Sequence, residues 1–300
     1  MYKIYDLKML VFLFCLCCAS CKENATELNQ EITAEKLDKS ELNELMTALE
    51  KDSSLNHFQS VMYKLSSLIV NAESNEKKSS YLLQAIQVCK KYDDKDFLPV
   101  FVHEYIITFP TSTETKLFLE EMAIQAEKDE KQLQSMLLRS GIAKRWPDIK
   151  TPWNKDSFED MERIFKNDLA STGEKMFGTK IQFKPDFPRI QHFIEISSYH
   201  VYAFPDGKEA FDLLMKAGET AKTAGLGPKA VELFHWAWNA YNNNEKAPYA
   251  LFLKGFTLET EIKNREEAIK TYRQFLHIYP KHELAKDVRV LIEALEKAKQ

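Results

Sequence analysis

Residues 246–288 read KAPYALFLKGFTLETEIKNREEAIKTYRQFLHIYPKHELAKDV, and the order of small and aromatic residues in this stretch decides the fold. That order is Gly255, Ala268, Tyr272, Phe275 and Tyr279. The stretch before it has a similar order, in Gly218, Ala230, Phe234, Ala237 and Tyr241. Small residues let two antiparallel helices approach closely, and aromatic side chains fill the space beside them. The two stretches therefore predict two successive helical hairpins.

A regular spacing of the aromatic residues that end the helices extends this pattern toward the N-terminus. These residues are Phe109, Trp146, Phe204, Tyr241 and Tyr279, and all except Tyr241 are followed by proline. They lie 37, 58, 37 and 38 residues apart, so the second interval contains about 20 extra residues. Proline ends a helix because it lacks the amide hydrogen that the helix needs. The recurring interval predicts a solenoid of helical hairpins.

Residues that favour helix ends support the same boundaries. Pro228 and Pro248 stand where a first-turn proline is tolerated, and Asn264 stands where a side chain can cap a helix. After Pro280, one more helix is expected to cap the solenoid. Its predicted apolar face consists of Leu284, Val288, Leu291 and Leu295. The sequence thus predicts an all-α helical-hairpin solenoid with a C-terminal capping helix.

These stretches resemble the tetratricopeptide repeat, whose first helix carries a glycine and whose second carries alanine, aromatic residues and a closing proline. Residues 246–288 are similar to the C-terminal units of tetratricopeptide lipoproteins of Bacteroidetes-type bacteria. More distantly, they resemble the repeats of the outer-membrane barrel-assembly lipoprotein and of the cell-division coordinator associated with the Tol–Pal system. The resemblance is good over 205–295, partial over 53–150 and poor over 151–190.

The sequence departs from the tetratricopeptide repeat at three points, which affect the exact geometry of the hairpins but not the predicted fold class. Phe275 stands where a small alanine is usual, and Asn242 replaces the closing proline. The first helix of the last hairpin is one residue longer than that of the hairpin before it. The resemblance therefore implies a tetratricopeptide-like solenoid whose hairpins differ in detail.

The first 20 residues have the features of a signal peptide. Lys3 and Lys8 precede the apolar run 9–18, which is shorter than the roughly 20 residues that span a bilayer. The sequence CASC, which ends at Cys21, resembles the lipobox of bacterial lipoproteins. That resemblance implies cleavage before Cys21 and lipid attachment to it, which would anchor the protein to a membrane. The alternatives are an ordinary signal peptide or a signal anchor.

The lipobox resemblance also implies a location in the bacterial cell envelope. Lys22, rather than aspartate, follows the modified cysteine, which argues against retention in an inner membrane. An outer-membrane protein that faces the periplasm or the cell surface is therefore expected. Cys89 would then be the remaining cysteine of the mature chain, without a partner for an intramolecular disulfide. Its apolar neighbours predict a buried, unreactive thiol.

The predicted domain organisation has four parts. They are the signal peptide (1–20), a tether with a first helix (21–52), N-terminal helical repeats (53–150) and C-terminal tetratricopeptide-like repeats (151–300). Two prolines in RWPDIKTPWNK favour the boundary near residue 150. Within the extra residues, FGTKIQFKPDFP is expected to form a loop.

The sequence contains no pattern that indicates catalysis. The seven histidines form neither HExxH nor an i, i+4 pair, and GLGPKA lacks the spacing of a phosphate-binding loop. Lys and Arg number 41 and Asp and Glu 45, so the basic excess typical of nucleic-acid binding is absent. We therefore expect a non-enzyme with no cofactor, no metal and no nucleic-acid partner.

The expected function is protein binding by the concave face of the solenoid, which the first helices of the hairpins would line. The register of the repeat places Asp212, Met215, Glu219 and Lys222 there in one hairpin. It places Tyr249, Phe252, Phe256 and Glu259 there in the next. The aromatic residues predict a groove for an apolar segment of an envelope protein. Tetratricopeptide domains that grip C-terminal carboxylates carry lysine and asparagine at positions that are Met215, Glu219, Phe252 and Phe256 here, so the resemblance does not extend to that carboxylate clamp. Alternatively, Phe252 and Phe256 only pack against the neighbouring helix.

The alternative function is that of a ligand- or glycan-binding lipoprotein, because tryptophan side chains stack on sugars. Trp236 and Trp238 are two residues apart, so on a helix their side chains point about 200° apart. They cannot form one sugar platform together, and one of the two is expected to lie in the core.

Overall fold

The computed structural model describes residues 28–147, 155–178 and 183–297. The predicted signal peptide, the predicted lipid-attachment residue Cys21 and the predicted boundary near residue 150 lie outside these ranges. The described part contains thirteen α-helices and no β-strand, which confirms the predicted all-α class. Contacts divide the chain into an N-terminal unit that ends at Tyr105 and a C-terminal unit that begins at Ile106. Within the described ranges, no helix combines the length and the apolar character needed to cross a membrane.

The described N-terminal unit contains four helices, of which the first three pack in sequence order. They are α1 (Leu28–Lys51), α2 (Leu55–Val70), α3 (Asn75–Lys91) and α4 (Leu98–Thr108), the last of which continues past Tyr105. α1 packs on α2, and α2 packs on α3. Ser54 and Ser74 cap α2 and α3, because each side-chain oxygen accepts a hydrogen bond from a backbone N–H in the first turn.

Cys89 lies in the core of the N-terminal unit, as the sequence predicts. Its side chain is fully buried, and its Sγ lies 3.7 Å from Sδ of Met62. Burial raises the pKa of the Cys89 thiol to about 12. The reactive thiolate form is therefore scarce at neutral pH.

The C-terminal unit contains nine described helices. They are α5 (Thr113–Lys128), α6 (Gln132–Arg145), α7 (Lys155–Gly173), α8 (Phe187–Ala203), α9 (Ala210–Thr223), α10 (Gly227–Ala240), α11 (Ala247–Thr257), α12 (Arg265–Ile278) and α13 (Ala285–Lys297). From α7 onward, each helix packs on the next one along the chain. This order of contacts is that of a helical-hairpin solenoid, and the hairpins are compatible with the tetratricopeptide repeat.

The paired glycine and aromatic residues meet inside the last two hairpins. A β-carbon added to Gly218 would lie 2.6 Å from the ring of Phe234, which is fully buried. A β-carbon added to Gly255 would lie 2.7 Å from the ring of Tyr272. The glycines thus allow α9 to approach α10, and α11 to approach α12, as closely as the sequence pattern predicts.

A π-helical turn accounts for the extra residue of the last hairpin. This turn, Leu258–Ile262, continues directly from α11 and ends at Lys263, which has a left-handed backbone with φ of 61°. Asn264 then caps α12 and accepts a hydrogen bond from the backbone N–H of Glu267. Because the wide turn takes up one residue, Gly255 and Tyr272 still meet as Gly218 and Phe234 do.

The long interval between Trp146 and Phe204 reflects a change in helix packing. α6 packs directly on α8, where a β-carbon on Gly141 would lie only 2.4 Å from the carbonyl oxygen of Ala203. α7 packs mainly on α8 and has fewer contacts with α6. α7 and the loop after it are therefore added beside a direct α6–α8 contact. The loop contains one isolated antiparallel bridge, between Gly178 and Phe183.

Arg145 connects the ends of successive helices around α6. Its guanidinium donates hydrogen bonds to the backbone oxygens of Pro110 at 2.7 Å and Tyr202 at 2.5 Å. The Cζ atom of the guanidinium lies 4.9 Å from the centre of the Trp146 ring. Burial lowers the pKa of Arg145 to about 10, so the group remains charged at neutral pH. Charge-assisted bonds of this kind hold carbonyl groups that have no partner within their helix.

The last helix, α13, packs on α12 as the predicted capping helix. Its predicted apolar face is only partly right. Val288 is fully buried, whereas Leu284, Leu291 and Leu295 are half-buried. Ile292, which the prediction omits, is buried instead of a leucine. With no further helix against its outer side in the described chain, α13 buries a narrower stripe than an internal helix does.

Candidate functional site

The residues predicted to bind a partner lie on two adjacent first helices, α9 and α11. We call this surface the A-helix face. It consists of Asp212, Met215, Glu219 and Lys222 on α9, and Tyr249, Phe252, Phe256 and Glu259 on α11 and the π-helical turn. Both helices begin at a buried alanine, Ala210 or Ala247, and Met215 and Phe252 each follow that alanine by five residues. The two helices therefore present equivalent positions.

Phe252 and Phe256 form the aromatic centre of the A-helix face. Their rings are stacked, with centroids 5.9 Å apart and an interplanar angle of 15°. Phe252 also lies 6.3 Å from the ring of Tyr272 in the hairpin core. Both phenylalanines are half-buried. The alternative interpretation is thus partly right, because the rings pack on their neighbours, but part of each remains accessible.

Lys222 connects the two helices at one end of the face. Its Nζ lies 5.1 Å from the centre of the Phe256 ring and 3.6 Å from a carboxylate oxygen of Glu261. A cation in this position attracts the negative face of the ring. Asp212 makes a comparable connection at the other end, where its carboxylate lies 3.5 Å from Nζ of Lys246. These contacts bring the predicted residues of α9 and α11 into one surface.

The remaining residues of the face differ in exposure. Tyr249 is 37% exposed, and its hydroxyl donates a hydrogen bond to Glu283, which raises the pKa of the phenol. Glu259 accepts a hydrogen bond of 2.7 Å from the hydroxyl of Tyr272, so it is held toward the hairpin rather than toward solvent. Met215 is half-buried and Glu219 is exposed.

The capping helix carries Val290 at the position equivalent to Met215 and Phe252, and the sequence interpretation missed this equivalence. α13 begins at Ala285, so Val290 stands five residues into its helix, as Met215 and Phe252 do in theirs. Its side chain is 58% exposed. The alanines at 210, 247 and 285 were a usable signal for this equivalence.

Trp236 and Trp238 do not form a sugar-binding surface. Both are buried, so the core contains the one tryptophan that the sequence predicts there and the other as well. Trp236 packs on Tyr202, with ring centroids 4.7 Å apart. Trp238 donates a hydrogen bond of 3.2 Å from Nε1 to the hydroxyl of Tyr279. α10 is therefore covered on both of the sides that these side chains point toward.

A cleft of about 320 Å³ lies between α1, α2 and α3 of the N-terminal unit. Four of its lining side chains are apolar: Leu42, Met46, Leu65 and Val88. Four are polar: Asn43, Gln84, Gln87 and Lys91. Lys91 also lies 3.1 Å from a carboxylate oxygen of Glu50. The cleft combines apolar walls with carboxamides at its rim, and its size falls in the range of small-ligand sites.

In the residues that the structure covers, no three His, Cys, Asp or Glu side chains are grouped so that they could hold a metal ion. One histidine–carboxylate pair is His192 and Asp168, whose Nε2 and Oδ2 atoms are 2.8 Å apart. It joins α7 to α8. Comparison with known proteins adds no family assignment, because no protein-family model and no curated protein matches this sequence.

Proposed function

We propose that this protein is a lipid-anchored, non-catalytic adaptor of the bacterial cell envelope, which binds a partner protein through the A-helix face. The observation that carries the proposal is the stacked pair Phe252 and Phe256, which is half-buried and lies on the same helix, α11, as the exposed Tyr249. Aromatic side chains at an accessible surface are enriched in protein interfaces and supply much of their binding energy. The partner is an envelope protein that offers an apolar segment.

The anchor in this proposal is a lipid on Cys21. The lipobox-like sequence CASC supports it, as does the resemblance of residues 205–295 to tetratricopeptide lipoproteins of Bacteroidetes-type bacteria. The mature chain would face the periplasm or the cell surface from the outer membrane. Several acyl chains on one residue give a firm attachment, whereas a single chain gives only a reversible one.

Replacing Cys21 with alanine is expected to abolish acylation of the protein. Cells that express either form would be fed an alkynyl fatty acid, and the label on the purified protein would be measured. Cys89→Ala serves as the matched control, because Cys89 is buried in the core and should not be acylated. Label that persists in the Cys21→Ala variant, or that is missing from the wild type, would contradict the lipid anchor and favour a signal anchor or an ordinary signal peptide.

Phe256→Ala and Tyr249→Ala are each expected to weaken partner binding about tenfold, as truncation of an interface aromatic commonly does. The partner would first be identified by cross-linking and purification from envelopes, and its affinity for each variant would then be measured. Leu117→Ala is the matched control, because Leu117 is 51% exposed on α5, outside the A-helix face. Circular dichroism would verify that all variants are folded. Equal affinities across the three variants would contradict the proposed surface.

A second candidate function, the binding of a small ligand, is favoured by the cleft of the N-terminal unit. Its apolar walls and carboxamide rim suit an amphipathic molecule. A glycan fits less well, because none of the described lining residues is aromatic. If no protein partner can be cross-linked to the wild type, this second function becomes the better one.

A further inference from the structure

The loop between α7 and α8 has a defined base although it lies outside the repeating hairpins. The backbone N–H of Lys184 donates to the carbonyl of Phe177 at 3.0 Å, and that of Asp186 donates to the carbonyl of Met176 at 2.8 Å. Met176 is buried, which fixes this base against the helices. Gly178 has φ of 76°, a left-handed conformation that glycine adopts without strain. The described side chains next to this base are therefore held in place.

Large apolar side chains of this loop face solvent. Phe183 is 63% exposed, and Phe187, at the start of α8, is 46% exposed. The ring of Phe183 stacks on that of Phe177, with centroids 5.7 Å apart and an interplanar angle of 9°. Burying a phenylalanine side chain is strongly favourable, so exposed rings of this kind make the loop a candidate surface for contact with another molecule or a membrane.

The charges around these rings favour an anionic surface. Three cationic side chains, Lys175, Lys184 and Arg189, stand against two acidic ones, Glu174 and Asp186. Asp186 and Arg189 neutralise each other, because the carboxylate lies 3.0 Å from Nε of Arg189, which leaves Lys175 and Lys184 against Glu174. Lys175 and Lys184 are exposed. Exposed lysines beside apolar rings match the headgroup region of a bilayer, where the rings enter the apolar boundary and the ammonium groups meet phosphates.

We propose that this loop, in its described residues 174–178 and 183–187, is a membrane-contact site that inserts Phe183 and Phe187 into the surface of a bilayer containing anionic phospholipids. The inference rests on the proposed function in one respect, because a lipid on Cys21 would keep the chain beside a membrane. It also gives a role to the segment between α6 and α8, which the repeat itself does not need. The A-helix face is not involved.

Phe183→Trp in the full chain tests this contact. The indole fluorescence, taken as the difference from wild type, would be recorded with vesicles of phosphatidylcholine and phosphatidylglycerol, with and without brominated chains. A shift to shorter wavelength and quenching by the brominated lipid are expected, and both should weaken with phosphatidylcholine alone. Leu117→Trp, at another exposed apolar position of the same unit, should show neither change.

A second substitution, Phe187→Ser, in the Phe183→Trp chain should reduce the partition to vesicles about tenfold, as the loss of one inserted ring implies. An indole that keeps its aqueous spectrum on vesicles would overturn the proposal. So would a shift that requires added envelope protein instead of lipid, because the loop would then be a protein-binding surface. The partner affinities of the Phe256→Ala variant are measured without vesicles, so the adaptor function and the membrane contact can fail separately.

Discussion

Gly141→Ala is expected to lower the free energy of unfolding of the C-terminal unit by about 2 kcal/mol. The new β-carbon would lie 2.4 Å from the carbonyl oxygen of Ala203 and 2.5 Å from its Cα. Both are backbone atoms, so no side-chain rotation can relieve the clash, and α6 must move away from α8. Overpacking of this kind costs about 1–3 kcal/mol or more, against a gain of at most about 1 kcal/mol in helix propensity.

Urea unfolding of the two proteins would measure this effect, and Gly173→Ala is its matched control. Gly173 ends α7, and a β-carbon there would lie 3.8 Å from the ring of Phe193, which is an ordinary contact. The control is expected to differ from wild type by less than about 0.5 kcal/mol, as surface substitutions usually do. If the two glycine variants were equally stable, the direct contact between α6 and α8 would be wrong.

Acid is expected to destabilise the wild type more than a His200→Phe variant. His200 is buried on α8, where its ring stacks on Phe165 at 4.2 Å and lies 5.2 Å from the ring of Phe204. Burial lowers the pKa of His200 to about 4, from an ordinary value of about 6.5. Lys144 of α6 and Lys166 of α7 lower it further, while Glu162 of α7 opposes them.

The direction of the pH effect follows from where the proton binds. Below pH 6.5 the unfolded chain takes up a proton at His200, whereas the folded chain does so only near pH 4. Stability present above pH 6.5 is therefore lost as the pH falls toward 4, by about 2 kcal/mol at pH 5 and about 3 kcal/mol at pH 4. Phenylalanine keeps the stacking contacts and has no proton to bind.

Urea unfolding at pH 7 and pH 5 would compare wild type, His200→Phe and His277→Gln. His277 is exposed on α12, so His277→Gln is the matched control for the loss of a histidine outside the core. The His200→Phe protein should lose about 2 kcal/mol less than wild type between the two pH values. Identical losses in all three proteins would show that His200 is not held neutral in the core.

The hairpins could be predicted from the sequence because each depends on residues close together along the chain. Gly218 and Phe234 lie close together in the sequence, in the two helices of one hairpin, and so do Gly255 and Tyr272. A glycine and a large ring at these spacings predict that the ring packs against the glycine. The contact of α6 with α8 could not be read in this way. It joins Gly141 to Ala203, which are separated in the sequence by the whole of α7. The sequence around either residue contains no pattern that predicts a contact with the other.

Burial of both tryptophans of α10 was missed for a related reason. Helical periodicity shows that Trp236 and Trp238 point in different directions, but not that neighbours cover both. Tyr202 comes from the preceding hairpin and Tyr279 from the following one. For the A-helix face, the repeat register did place residues of α9 and α11 on one surface. The hydrogen bonds at the edges of this face, such as the one from Tyr249 to Glu283, could not be predicted, because the repeat register gives the position of a residue but not the conformation of its side chain.

The π-helical turn at Leu258–Ile262 shows how repeats of this chain can change in length during evolution. A residue inserted into a helix normally rotates everything beyond it by about 100°, which would turn the buried side of the next helix toward water. Here the extra residue is taken up within the five-residue π-helical turn. The left-handed backbone of Lys263 then ends the turn, so the chain changes direction before α12 begins. Repeats of unequal length can therefore stand side by side in one stack. Length variation of this kind can be absorbed within a unit without disturbing the units on either side.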